Sequence, residues 1–110
     1  MSKYNSTKTV VDGITFDSKL EARRYSELKM LEKAGEITEL QLQPEYVLIP
    51  RFFKNGKTYR QTVYRADFAY KAQGKTIVED AKGVEVPVFK LKRKLFEYLY
   101  QDLTLQIWKG

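Results

Sequence analysis

RADFAYKAQGKTIVEDAKG, running from Arg65 to Gly83, is two extended runs around a Gly-containing turn, and each run carries an acid. From Tyr64 to Tyr70 the chain alternates. Tyr64, Ala66, Phe68 and Tyr70 fall on one face, with Val63, Arg65, Asp67 and Ala69 on the other, which is the period of a half-buried strand. Thr76 to Lys82 is a second strand, β-branched at its start. Gln73-Gly74 between them suits a tight turn, because Gly tolerates positive φ. A two-residue loop there sets Asp67 directly opposite Asp80, with Lys82 diagonal to Asp67 on the face of Asp80. An odd-length loop would shift the register and break that opposition.

Two carboxylates facing each other repel and destabilise a bare sheet. A divalent cation between them reverses the sign. Mg²⁺ takes one or two carboxylates and keeps several waters, and a neighbouring Lys can orient such a water or steady charge on a phosphate. The alternative is a solvated sheet face on which Lys82 pairs with a carboxylate.

The 110 residues predict one domain, 1–110, with a single core. The net charge is +6 and the sequence pI about 9.5, a balance that favours a polyanionic partner. With no Cys and no His, structural zinc clusters, thiol nucleophiles and histidine acid–base systems are excluded within the chain. Hydrolytic chemistry would fall to carboxylates, Lys, Tyr or Ser, with or without a hard metal. Neither a signal peptide nor a transmembrane run is legible, so the expectation is a soluble, cytoplasmic protein without a membrane partner.

Outward from the central hairpin, Asp12-Gly13 marks a short hairpin. Ser18 with Glu21 matches a capping box opening a helix over 18–34 that Gly35 stops. Glu21 and Arg24 fall within that helix's apolar arc of Leu20, Tyr25, Leu28 and Leu31. An inward carboxylate is costly unless it is paired, capped or near a metal. Arg24 either pairs with an inner acid or reaches a phosphate. Runs 37–42 and 45–49 read as extended, with Pro44 ending the pairing or marking a bend. Asn55-Gly56 is a hairpin turn in an arm where Arg51, Lys54, Lys57 and Arg60 interleave with Phe52, Phe53 and Tyr59. That mixture suits phosphates and unstacked bases; alternatively the aromatics fold back onto the sheet. A second helix is expected over 88–101, burying Val88, Leu91, Leu95, Tyr98 and Leu99. Lys92 falls amid that arc and either snorkels out or approaches the acids. Residues 103–108 close with a short strand.

The stretches FDSKLEARRY, GEI, QPEY, YRADFAY, IVEDAKG and FKLKRKLFEY, covering the chain from about Gly13 onward, together resemble the PD-(D/E)XK nuclease superfamily. Within it the chain is similar to small phage or prophage endonucleases related to Holliday junction resolvases. The resemblance implies an α/β, restriction-endonuclease-like core, a mixed sheet flanked by two helices in the order α-β-β-β-α-β. It implies a Mg²⁺- or Mn²⁺-dependent endonuclease of branched or duplex DNA, acting as a homodimer. Asp67 and Asp80 would hold the metal with the Ala81 carbonyl, Lys82 would be the motif lysine, and Glu21 the helix glutamate. Lys92 would assist, and Arg24, Arg51, Lys54, Lys57 and Arg60 are the other candidate substrate contacts. Ala66 stands where the superfamily's name has Pro, and a bulge in the second strand would present Glu79 in place of Asp80. The rival expectation is a non-catalytic basic nucleic-acid-binding protein of phage origin.

Overall fold

Local chemistry fixes the hairpins. In a computed structural model, which describes residues 7–110, Gln73 and Gly74 both have positive φ (52° and 76°), as a type I′ turn demands. They join β8 (Phe68–Ala72) to β9 (Lys75–Ala81). Asp12-Gly13 and Asn55-Gly56 do the same for β1 (Thr9–Val11) with β2 (Ile14–Phe16), and for β5 (Phe52–Lys54) with β6 (Lys57–Tyr59).

Helix α1 (Lys19–Lys33) starts where Ser18 accepts a hydrogen bond from Glu21 N–H through its hydroxyl, at 3.1 Å. It ends in a Schellman motif: Glu36 N–H reaches Leu31 O, and Gly35 N–H reaches Glu32 O. The remaining elements are β3 (Thr38–Leu42), β4 (Glu45–Ile49), β7 (Thr62–Arg65), α2 (Pro87–Leu99) and β10 (Thr104–Trp108). The main sheet is mixed, in the order β10-β9-β8-β3, with β10 parallel to β9 and the other pairs antiparallel. Elements contributing to it run along the chain as α1, β3, β8, β9, α2, β10.

The helices cover opposite faces of this sheet. Under α1, Tyr25 and Leu28 pack with Phe16, Phe68 and Tyr70. Under α2, Phe89 and Phe96 pack with Tyr64, Ala69 and Val78. Among the described residues no helix is long and apolar enough to cross a membrane.

Two expectations are corrected. The run 64–70 is not one strand. It breaks at Ala66-Asp67, where β7 leaves for β4 while β8 pairs with β3. Opposite the break lies Gln43-Pro44, and Gln43 N–H to Asp67 O (2.9 Å) with Ala66 N–H to Pro44 O (3.1 Å) holds the two strands together through the bend. Residues 38–72 are thus one long antiparallel pair, bent in the middle and tipped by β5 and β6. The break also switches faces: Tyr64 and Ala66 join the α2 side, Phe68 and Tyr70 the α1 side.

The second correction concerns α2. Its expected stripe faces outward: Val88, Leu91, Tyr98 and Leu99 are exposed, and Leu95 is only partly covered. Phe89 and Phe96 are buried in their place. The helix turns so that Phe96 meets Tyr64, Tyr46 and Tyr100 at centroid distances of 5.3, 5.1 and 5.2 Å. Aromatic rings carry more burial area than Val or Leu and gain from their mutual geometry.

On the α1 side, Glu79 is fully buried on β9. Arg24 clamps both its oxygens, Nε to Oε2 at 2.6 Å and Nη2 to Oε1 at 2.9 Å. The Tyr70 hydroxyl (2.7 Å) and Gln106 Nε2 (3.0 Å) also donate to Oε1. Burial, followed by the bond to Glu79, pushes the Tyr70 hydroxyl up to about 12, so it stays protonated as a donor. Trp108 stacks beneath the Arg24 guanidinium at 5.0 Å.

Removing one partner of such a pair strands a charge in the core. Arg24→Leu is therefore expected to lower unfolding free energy by about 3–5 kcal/mol in urea titrations. The double change Arg24→Leu with Glu79→Leu should recover a large part of that loss.

Candidate functional site

Asp67 lies in the break just before β8. Because Phe68 pairs with Glu79, Asp67 comes level with Asp80. Its backbone N–H donates to Glu79 O at 3.1 Å and to Asp80 Oδ1 at 3.0 Å. Its own Oδ2 accepts Ala81 N–H at 2.8 Å. Each aspartate side chain is thus tied to the backbone beside the other. Asp80, 1% exposed, also accepts a hydrogen bond from the Tyr64 hydroxyl. Burial, and then the adjacent Asp80 charge, drive the Tyr64 phenol well above its ordinary range, so it remains a donor.

A third acid closes in from α1. Glu21 is buried. The Ser18 half of the capping box forms, while the Glu21 carboxyl faces a cleft. This cleft, of about 420 Å³, is lined by Asp17, Ser18 and Glu21 from the start of α1, by Asp67, and by Ala81, Lys82 and Gly83 from the end of β9. Burial, with Asp17 next, raises the Glu21 carboxyl above its usual range. Burial also raises Asp67, with the Asp80 and Glu21 charges adding to it; Lys82 opposes them only partly. Lys82 is half-buried on the cleft wall, its ammonium 4.8 Å from the Phe89 ring centroid. Among the described residues neither Asp67, Asp80 nor Glu21 forms an ion pair. The positive end of the α1 dipole opens onto the same cleft and favours an anion there.

Glu21, Asp67, Ala81 and Lys82 therefore line one cleft, with Asp80 directly behind Asp67. Glu79 does not compete with Asp80, since alternation points it at Arg24. Arg24, a candidate substrate contact from the sequence, is instead committed to Glu79 and lines no part of the cleft. Lys92 is half-buried on α2 and ion-pairs with none of the described acids; Arg93, the next residue, pairs with Glu85 at 3.4 Å. Arg51, Lys54, Lys57 and Arg60 stand on the exposed β5–β6 ribbon. Tyr64 was missed as a partner of Asp80, because unbroken alternation puts it on the opposite face. Asp17, just outside the expected helix 18–34, carries no sequence signal that marks it as a cleft residue.

Oxygen donors suit a hard cation, and the uncompensated charge fits one. Among the described residues no three acids stand close enough to hold an ion unaided. Two carboxylates from the protein with water or substrate oxygens is the usual Mg²⁺ arrangement.

A carboxyl raised by folding stabilises the protein when protonated. That contribution is complete below the ordinary carboxylate pKa and is lost as pH rises through the folded value, about 8 for Asp67. Without divalent cations, stability should therefore fall from pH 5 to pH 8 by more than about 1.4 kcal/mol, the worth of one pKa unit. Asp67→Asn should flatten this slope in denaturant titrations. Added Mg²⁺ or Mn²⁺ should restore more stability at pH 8 than at pH 5, because binding needs the ionised carboxylates.

A family model described as a protein of unknown function, DUF1064, matches residues 1–110. No curated protein and no solved structure matches the chain. With its whole length matched, the chain belongs to the DUF1064 family.

Proposed function

We propose that this protein is a metal-dependent endodeoxyribonuclease with a restriction-endonuclease-like core of the PD-(D/E)XK type. One observation carries the reading: Glu21 and Asp67 line a cleft with Asp80 directly behind, and among the described residues none of the three forms an ion pair, while the neighbouring Glu79 has Arg24. Unpaired buried carboxylates are costly, and a structural role would favour pairing each one as Glu79 is paired.

Within this reading, Asp67 and Asp80 would hold Mg²⁺ or Mn²⁺ with the Ala81 carbonyl, and Glu21 would support the metal-bound waters. The bound cation would supply Lewis-acid polarisation of the phosphoryl group and a more acidic water. Tyr64 and the Asp67 N–H fix the Asp80 carboxylate in place. Lys82 presents its ammonium to the cleft, where it steadies charge developing on the phosphate. The α1 N-terminus adds a fixed positive potential for the phosphodiester. Net charge of +6 brings DNA to the surface. Cutting two strands of a branched substrate calls for two such clefts about a twofold axis, hence a homodimer.

Four-way junction, flap, single-stranded and duplex DNA, each incubated with Mg²⁺ or Mn²⁺, provide the test. Wild-type protein is expected to cut at least one form, junctions first. Asp80→Asn should abolish cutting, and Lys82→Ala should slow it by about 10²–10³-fold, the usual worth of a charge-stabilising donor. A wild-type protein that binds these DNAs but cuts none with either ion would instead be the non-catalytic binder.

A further inference from the structure

The β5–β6 ribbon has no packing role to account for its composition. All six strand residues are exposed, and the ribbon is a separate two-stranded sheet. The aromatics do not fold back onto the main sheet: Phe53 is 71% exposed. A free two-stranded hairpin is marginal in water. This one is stiffened from within by Phe52 stacked on Tyr59 (4.7 Å, 7°) and by Lys57 over the Tyr59 ring (5.0 Å). The radius of gyration, 15.7 Å, exceeds the roughly 13 Å of a compact chain this long, as a projecting limb requires.

Its charge is one-sided in sign but not in direction. Residues 46–66 contain no Asp or Glu. Among the described residues Arg51, Lys54, Lys57 and Arg60 have no acidic partner. The register pairs Phe52 with Tyr59, Phe53 with Thr58 and Lys54 with Lys57. Lys54 and Lys57 therefore share the face of the stacked rings. Phe53 points from the opposite face, and Arg51 and Arg60 flank the ribbon at its base, just outside the paired strands. A single strand laid along one side would be met by one charged face. Arg51 and Lys54 on one edge with Lys57 and Arg60 on the other match two phosphate walls, one on each side. The major groove of duplex DNA, about 12 Å wide and 8.5 Å deep, admits a two-stranded ribbon between such walls.

We propose that residues 51–60 form a prong that inserts into the groove of duplex DNA, with the four cations on the flanking phosphates and Phe53 against the base edges. This site is separate from the cleft and does not depend on hydrolysis.

The test is equilibrium binding of a short duplex and of its single strand in EDTA, where cleavage plays no part, across a salt series. Each lost phosphate contact lowers the duplex log–log salt slope by about 0.9. Replacing Arg51, Lys54, Lys57 and Arg60 together by Gln should lower it by about 3 to 4 and weaken duplex binding more than single-strand binding. The tip variant Lys54→Gln with Lys57→Gln should give about half that change, without touching either core. Phe53→Ala should weaken duplex binding severalfold at unchanged slope. Wild-type duplex affinity and slope in the tip variant, or losses confined to the single strand, would overturn the proposal. Because cleavage is read separately with metal, a nuclease without a prong and a prong without a nuclease give different results.

Discussion

Two neighbouring carboxylates on one strand are buried, and only one of them has been given a cation. Strand alternation sends Glu79 toward α1 and Asp80 toward α2. On the first side Arg24, Tyr70 and Gln106 neutralise and saturate the charge. On the second, Asp80 finds a phenol, an amide and another acid. Taking an ion out of water costs several kcal/mol after relaxation, and the raised Asp67 carboxyl reflects that cost on the second side. Much of the surrounding architecture exists to keep these two sides apart: the I′ turn that sets the register, the helix on each face, and β10 closing the edge.

The bend in the long antiparallel pair has a comparable reach. Had 62–72 run straight, Tyr64 would share the face of Phe68 and could not reach Asp80. The break at Ala66-Asp67 turns Tyr64 beneath α2, exposes the Asp67 N–H to the Asp80 carboxylate, and lets β4 and β7 carry the ribbon away from the sheet. Gln43, at φ 51°, and Pro44 make the matching turn in the partner strand. The cleft and the limb thus share one irregularity.

What the sequence made legible was local. Xaa-Gly turns, the Ser18 cap, the Gly35 stop and the level placing of Asp67 with Asp80 all follow from a few adjacent residues and a parity count. The inward position of Glu21 and Arg24 was also visible on the helical wheel, although not which acid Arg24 would meet. The failures were decided at a distance. Leu-rich spacing named one stripe of α2, but the choice of face belonged to Tyr46, Tyr64 and Tyr100, dozens of residues away or beyond the helix end. The strand break needed knowledge that β3 and β4 bend at Pro44. No periodicity within 62–72 could report that.

The parallel pairing of β10 on β9 bears on the order of assembly. Hairpin strands meet across two residues, so their closure is fast and entropically cheap, whereas β10 must first wait for α2 to cross the sheet. Gln106 and Trp108, which complete the cover over Arg24 and Glu79, arrive only with that strand. Until then the ion pair remains hydrated. Where β10 docks after the folding barrier, its desolvation slows escape from the native state more than it hastens arrival.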